Sequence, residues 1–421
     1  MFWRHHAKTS CPHPPSSSAP HRDRNPFLIH LRYLSAALPR QENPQTAEES
    51  AESSQTDTLS LSAPSAILME ASTGTILYDK ESSMELAPAS VTKVMSMLLI
   101  FEALSSGNIH LTDEVTVSEH AAGMGGSQVF LEPGEIQTVE TLIKCISIAS
   151  ANDAVVAMAE YVSGSEEAFV QKMNEKAASL GMSHTHFVNC CGLDDPQHYT
   201  SAGDIAIMSR ELITRYPQVF DYCGIWQEDI THTTAKGSFP FTLSNTNRLL
   251  KQYPYATGLK TGSTSQAKFC LSATAEKDGM TLIAVVMAAE NSKLRFADAT
   301  KLLEYGFSTT SLYEDETAGE TFEVPVKKGT DDVLTAVCES SFRYLSSSGE
   351  NLSAVEKRVE LPENVIAPVD EGETVGQISY YLGEKNLGSV PLTASKKIEK
   401  ATFPHYYQKL LYQLFLAQPS V

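Results

Sequence analysis

The sequence predicts an α+β protein: an antiparallel sheet flanked by helices and carrying a helical subdomain, followed by a small all-β domain. Three observations predict it. Strand-like segments stand at both ends of a helix-rich stretch between residues 65 and 290, so one sheet can form from distant parts of the chain. Beyond Tyr313 helical spacing gives way to short β-rich runs, TFEVPVKK, VEKRVELP and TVGQISYYLG, separated by Gly, Asn and Pro turns. The 421 residues, 42% of them hydrophobic, suffice for two or three domains with a sizeable core.

Residues 1–60 are rich in Ser, Pro, His, Gln and Glu and show no periodicity, which reads as a disordered leader and linker. In NPFLIHLRYLSAAL, His30 and Arg32 interrupt the apolar core an export signal needs. Either this is no signal or translation starts elsewhere. The second reading is preferred, because the rest of the chain has an extracytoplasmic character. From Ser65, SAILMEA and TILYDK flank a Ser-Thr-Gly turn and form a hairpin. Pro88 precedes a helix, VMSMLLIFEALSSG, which Gly107 ends. Helical spacing returns between Val139 and Val162, broken at Ser150–Asp153, and again from Asp204 to Tyr216. Three strands follow, YATGLKTGST, KFCLSATAE and TLIAVVMAA, the last two joined by an Asp278-Gly279 turn. The helix LRFADATKLLEYGF closes this unit near Phe307.

The expected boundaries are a first domain at 61–312, a β-rich domain at 313–398 and a tail at 399–421. Within it the segment TFPHYYQKLLYQLFLAQ is aromatic and aliphatic, with Lys409 as that segment's only Lys or Arg. It is too short to span a bilayer, but as an amphipathic segment it can lie in a membrane interface or dock on the protein body. Net charge is −19, from 32 basic and 51 acidic residues, which argues against a nucleic-acid partner. The seven cysteines are odd in number and form no small-domain disulfide framework. Most read as buried small hydrophobes.

The chemistry begins at APASVTKVMSM. Ser90 and Lys93 lie three apart at a helix start, hence on one face and within side-chain reach. Serine is a weak nucleophile until a neighbour takes its proton. Burial lowers a lysine's pKa and makes it a base. The helix N-terminus adds N–H groups for an oxyanion. Ser90 is therefore the candidate nucleophile and Lys93 its base. A second match, Ser265–Lys268, is set aside because residues three apart on a strand face opposite sides. Ser150 and Asn152 follow: the hydroxyl can relay a proton near Lys93, and the amide can bind a carbonyl or hold the lysine. Ser106-Gly107-Asn108 has a similar pattern, but its place is explained by ending the first helix. The third group is Lys260-Thr261-Gly262. On an edge strand Lys260 and Gly262 share a face while Thr261 points away. Glycine lets a ligand backbone lie close, and the Ser263 N–H is placed as a second oxyanion donor.

Serine-x-x-lysine, serine-x-asparagine and lysine-threonine-glycine, in this order, are the motif set of penicillin-binding proteins and serine β-lactamases. From Ser62 to Lys397 the chain resembles the low-molecular-mass penicillin-binding proteins, the D-alanyl-D-alanine carboxypeptidases. ILMEASTGTILYDKES, APASVTKVMSMLL, GGSQVFLEPGE, SANDAVVAMAE, GLDDPQHYTSAGDIAIMSREL and GLKTGSTSQAKFCLSAT carry the resemblance. It implies an acyl-serine enzyme that removes the terminal D-alanine from peptidoglycan stem pentapeptides, binds β-lactam antibiotics covalently, needs no cofactor and works at the cell envelope outside the cytoplasm. It implies catalytic roles for Ser90, Lys93, Ser150 and Asn152, and substrate-binding roles for Lys260, Thr261, Gly262 and Ser263. It also matches Arg295, in LRFADA, to an arginine near the substrate's terminal carboxylate. The chain departs from the family pattern at Cys190 and Cys191. With His184, His186 and His198 these form a rival zinc set whose spacing fits no standard site, and no metal is expected. The alternatives are a serine β-lactamase, for which no deacylating glutamate motif is visible, and a catalytically idle peptidoglycan-binding module.

Overall fold

The computed structural model describes residues 59–234 and 236–415; the leader reading falls almost wholly outside them. The first unit is built on a five-stranded antiparallel sheet. Its spatial order is Ile76–Lys80, Ser65–Glu70, Met280–Ala289, Lys268–Lys277 and Ala256–Thr264. Early and late segments thus meet side by side, as expected. Residue alternation buries both faces of this sheet. Ile283, Val285 and Met287 pack toward the helical subdomain. Leu282, Ala284 and Val286 pack toward the helix Ser292–Thr309. That helix lies close enough that a Cβ on Gly306 would come within 2.6 Å of Leu282 and 2.9 Å of Leu68.

The nucleophile helix, Lys93–Ser105, is buried along nearly its whole length. Around it lie Val139–Ile148, Asn152–Ser163, Glu166–Ser179 and Ala202–Arg215. The break at Ser150–Asp153 separates two helices, and Ser150 occupies the left-handed region at φ 63°. Ser265, Gln266 and Ala267 form the turn between two strands and do not lie within a strand. The second serine-lysine pair is therefore unsuited for a different reason from the one expected: no helix carries it.

Several elements escaped the sequence reading: the helix Glu166–Ser179, the short strand pair Glu114–Thr116 with Ile136–Thr138, and a hairpin of Gln227–Thr234 with Gly237–Ser244. The hairpin's apolar positions are few, and most of its residues are exposed or half-buried. Gln137 reaches it by donating from Nε2 to the Thr231 carbonyl, 2.9 Å. The strand Gly237–Ser244 runs on toward Thr246, whose N–H donates to the Ile148 carbonyl.

An all-β domain follows. Its six-stranded sheet runs in the order Val355–Glu360, Thr374–Leu382, Lys385–Ala394, Val333–Cys338, Thr321–Lys327 and Val365–Ile366. Its core centres on Tyr380, which stacks on Phe342 at 3.8 Å and donates its hydroxyl to Asp315, 3.0 Å. The helix Phe403–Phe415 ends the described chain. Among the described residues, no helix is long and apolar enough to cross a membrane.

The N-terminal edge of the first unit hangs on one buried carboxylate. Asp298 accepts from the Ala63 N–H at 2.9 Å and the Ser62 hydroxyl at 2.6 Å. Asp298→Ala leaves the Ala63 N–H buried without its acceptor, a cost of about 1–3 kcal/mol. Thermal melting should show Tm lower by about 3–10 °C, with covalent labelling of Ser90 retained in the folded protein.

Candidate active site

Ser90 sits in a 3₁₀ turn, Ala89–Thr92, that feeds directly into the nucleophile helix. Ala89 before it has φ 48°, a left-handed conformation that is costly for alanine. Two glycines abut this turn. A Cβ on Gly192 would lie 1.9 Å from the Ala89 carbonyl oxygen. A Cβ on Gly262 would lie 2.8 Å from the Pro88 oxygen and 2.9 Å from the Ser90 nitrogen. Glycine at both places lets two loops close on the nucleophile without displacing it.

Lys93 is fully buried. Its Nζ lies 3.1 Å from Ser90 Oγ, 2.6 Å from Asn152 Oδ1 and 2.8 Å from the Cys191 carbonyl. Burial lowers its pKa from 10.5 to about 8, against the opposing pull of Cys191, Cys190 and Asp153. A neutral amine donates two hydrogens and keeps one lone pair. Asn152 and Cys191 take the two hydrogens, so the lone pair is left facing the Ser90 hydroxyl.

Asn152 is held in turn. Its Nδ2 donates to the Gly125 carbonyl at 2.6 Å, and its backbone N–H donates to the Ser127 carbonyl at 2.7 Å. The next residue, Asp153, is buried and accepts from the N–H groups of Val129, Leu131 and Ala154. The Gly125–Leu131 loop and the helix Asn152–Ser163 are thereby fixed to each other.

On the opposite wall the edge strand Ala256–Thr264 presents Lys260 and Gly262 toward Ser90, while the Thr261 hydroxyl bonds that of Thr246 at 2.6 Å. Lys260 Nζ donates to Ser150 Oγ at 2.8 Å and to the Thr261 carbonyl at 3.0 Å. Burial, then the positive charges of Lys93 and Arg295, push the Lys260 pKa well down. Ser150 was read from sequence as a relay beside Lys93; the structure pairs it with Lys260. Ser263 is exposed on the same strand, and Thr264 Oγ1 donates to Asp194 at 2.6 Å across the cleft. Arg295 lies behind the strand. Its guanidinium donates to the carbonyls of Gly262 and Cys270, both at 3.1 Å, and burial lowers its pKa to about 10.

The histidines and cysteines weighed for zinc are engaged in other ways. The Val188 N–H donates to His198 Nδ1, and His198 Nε2 meets Thr92 Oγ1 at 2.8 Å. Burial lowers the His198 pKa to about 4, so the ring is neutral and its Nε2 is the donor. Asn189 Oδ1 accepts from the N–H groups of Gly192 and Leu193, and Glu166 accepts from the Cys190 N–H. This loop delivers the Cys191 carbonyl to Lys93. Cys190 and Cys191 are both free thiols. Sequence reasoning missed Asp153, the Cys191 carbonyl and the Thr246–Thr261 bond. Only Asp153, next to Asn152, had a signal that could have found it.

A serine facing a buried amine, between walls shaped by two glycines and lined by a second lysine-serine pair, defines a serine acyl-transfer site. Residues 49–291 match the family model described as D-alanyl-D-alanine carboxypeptidase, and residues 307–400 match that of the penicillin-binding protein 5 C-terminal domain. The chain is 42% identical over 388 residues to the D-alanyl-D-alanine carboxypeptidase DacF of Bacillus subtilis, covering 91% of this chain and 95% of that protein. It is 33% identical to DacC of Escherichia coli, covering 80% of this chain and 84% of that one. Among solved structures, penicillin-binding protein 5 of Haemophilus influenzae is similar with a TM-score of 0.66 and 32% identity, covering 81% of this chain and 98% of that one. The chain belongs to the D-alanyl-D-alanine carboxypeptidase family.

Only the neutral form of Lys93 can accept the serine proton. With a pKa of about 8, about a tenth of it is neutral at pH 7. The rate of Ser90 acylation by a penicillin should therefore rise about tenfold per pH unit below that value and level off above it. Stopped-flow acylation between pH 6 and 9.5 reads this directly. A flat profile would mean Lys93 is already neutral and another group limits the step.

Proposed function

We propose that this chain is a serine-type D-alanyl-D-alanine carboxypeptidase of the cell envelope, which removes the terminal D-alanine of peptidoglycan stem pentapeptides. The observation that carries the reading is the buried Lys93 amine, 3.1 Å from Ser90 Oγ, with its two hydrogens held by Asn152 and Cys191. Ser90 Oγ attacks the carbonyl carbon of the penultimate D-alanine while Lys93 takes its proton. The resulting oxyanion meets the N–H groups of Ser90 and Ser263. The tetrahedral centre collapses, the C–N bond breaks, and the departing D-alanine nitrogen takes up the proton that Lys93 removed from Ser90, which returns Lys93 to its neutral form. Water, deprotonated by the same lysine, then releases the shortened peptide from Ser90.

Lys260 and Ser150 form the second proton-bearing pair, suited to the leaving nitrogen. A substrate carboxylate beside Lys260 draws it toward its charged form, so binding and charging are coupled. Thr261 aligns the strand through Thr246. Arg295 donates through Nη1 to the carbonyls of Gly262 and Cys270 and serves by holding Gly262 in place. Arg248, near enough to depress the Arg295 pKa, is exposed to solvent. β-Lactams present the same carbonyl in a ring and leave a covalent adduct on Ser90.

We assign residues 61–312 to the peptidase domain, 313–398 to the β-rich domain and 399–421 to a membrane-facing tail, preceded by a leader. The exposed Phe403, Tyr407, Leu410 and Leu414 support peripheral membrane contact. Lys409 meets Asp332, so the tail is fastened to the β-rich domain.

Ser90→Ala should abolish D-alanine release from a pentapeptide and formation of a penicillin adduct, while wild-type protein carries an adduct that persists for minutes. Intact mass over time and peptide mapping measure both. Release that survives the substitution would remove Ser90 from its role; an adduct lost within seconds would favour a β-lactamase. Flotation with anionic vesicles should retain the chain ending at Val421 and lose one ending at Lys400. Equal flotation would place membrane contact elsewhere.

A further inference from the structure

Phe130 is a bulky residue at φ 63°, where a side chain other than glycine, Asn or Asp is rarely found, and it is 68% exposed. A strained backbone that holds an aromatic ring out into water needs strong support, and the support is visible. The N–H groups on either side, of Val129 and Leu131, are gripped by the buried Asp153 carboxylate. The ring does not stand alone. Phe241, on the hairpin missed in the sequence, meets it edge-on at 6.2 Å. Phe239, 44% exposed, stacks on His232 at 5.1 Å, and His232 is buried and held by Glu135 at 2.8 Å. Lys236 ties the hairpin to the same loop through Glu132, 2.6 Å. Two rigid elements, each fastened to a buried carboxylate, thus present aromatic faces at one rim.

This rim is continuous with the cleft. The loop bearing Phe130 supplies the carbonyls of Gly125 and Ser127 to Asn152. The strand bearing Phe239 and Phe241 runs on to Thr246, which bonds Thr261 beside Lys260. Four residues lie between Phe241 and Thr246, and the strand ends at Ser244, so the stretch spans at most about 17 Å. On the proposed function, four stem residues lie between the scissile bond and the sugar, and they span about 14 Å when extended. We propose that Phe130 and Phe239, braced by Phe241, form a subsite for a pyranose ring of the glycan strand, stacking on its apolar C–H face. The inference rests on the carboxypeptidase reading for its choice of polymer. The exposed lysine here, Lys236, is already paired with Glu132, so the rim offers aromatic faces and no unpaired cation on that hairpin for the anionic stem, which suits a sugar ring.

The test compares two substrates and one ligand. In Phe130→Ala and Phe239→Ala, with melting curves confirming the fold, kcat/KM should fall about five- to tenfold on a disaccharide-pentapeptide, chiefly through KM. It should stay unchanged on the free pentapeptide. Calorimetry with a peptide-free glycan fragment should show binding to wild type and its loss in both variants. Equal losses on the two substrates would overturn the proposal, because the rings would then serve the peptide or the loop. Unchanged kinetics on both would overturn it as well. If wild type releases no D-alanine at all, the carboxypeptidase reading fails by itself. Glycan binding that is lost in the variants would still support the subsite, and absence of glycan binding would overturn it.

Discussion

The site depends on taking one ammonium group out of water. Lys93 lies on the first turn of a helix most of whose other residues are buried and apolar, and that burial brings its pKa to about 8. A buried amine is tolerable only with hydrogen-bond partners. Here the partners come from two places remote in sequence, Asn152 and the Cys191 carbonyl. Removing either would leave the amine poorly solvated and free to turn from Ser90. The requirement to satisfy this one nitrogen thus dictates where the helix Asn152–Ser163 begins and how the loop from Asn189 to Leu193 is folded.

Those two suppliers are themselves held by buried or half-buried acceptors. Asp153 collects three N–H groups and fixes the loop above Asn152. Asn189 and Glu166 collect the N–H groups that turn the chain through Cys190 to Leu193. Backbone atoms do much of this positioning, which costs little side-chain entropy at the moment of reaction. Gly192 and Gly262 contribute by having no side chain: each leaves the space in which a neighbouring strand or loop approaches the Ser90 turn. Arg295 works from behind, gripping the strand that bears Gly262.

Much of this was legible in the sequence, for a physical reason. Ser90 and Lys93 are separated by one helical turn, so local geometry alone brings them together, and Ser150 and Asn152 announce themselves by breaking a helical pattern. The strand pattern around Lys260 fixed which face carried Lys260 and Gly262. What the sequence hid is what depends on backbone. Nothing in NCCGLDD marks the Cys191 carbonyl as a ligand of Lys93, because any residue has a carbonyl. The pairing of Ser150 with Lys260 depends on how helix and sheet meet across 110 residues. The hairpin Gln227–Ser244 was missed because its alternation is mostly polar and its apolar rings lie on an exposed rim. Ser265 was correctly set aside but for the wrong local structure, since a three-residue turn separates the strands there.

The central sheet also sets an order of events. Its strands at Ser65–Glu70 and Met280–Ala289 are neighbours, and the wall that carries Lys260 hangs on the strand between Met280–Ala289 and the sheet edge. A chain that emerges from its N-terminus holds the nucleophile long before the opposite wall exists. More than two hundred residues must appear before the sheet can close and the lysine can be shut away from water. A copy that stops short of these strands therefore has the serine without the wall that faces it. The site is assembled only when the last strand of the sheet, ending at Ala289, has taken its place.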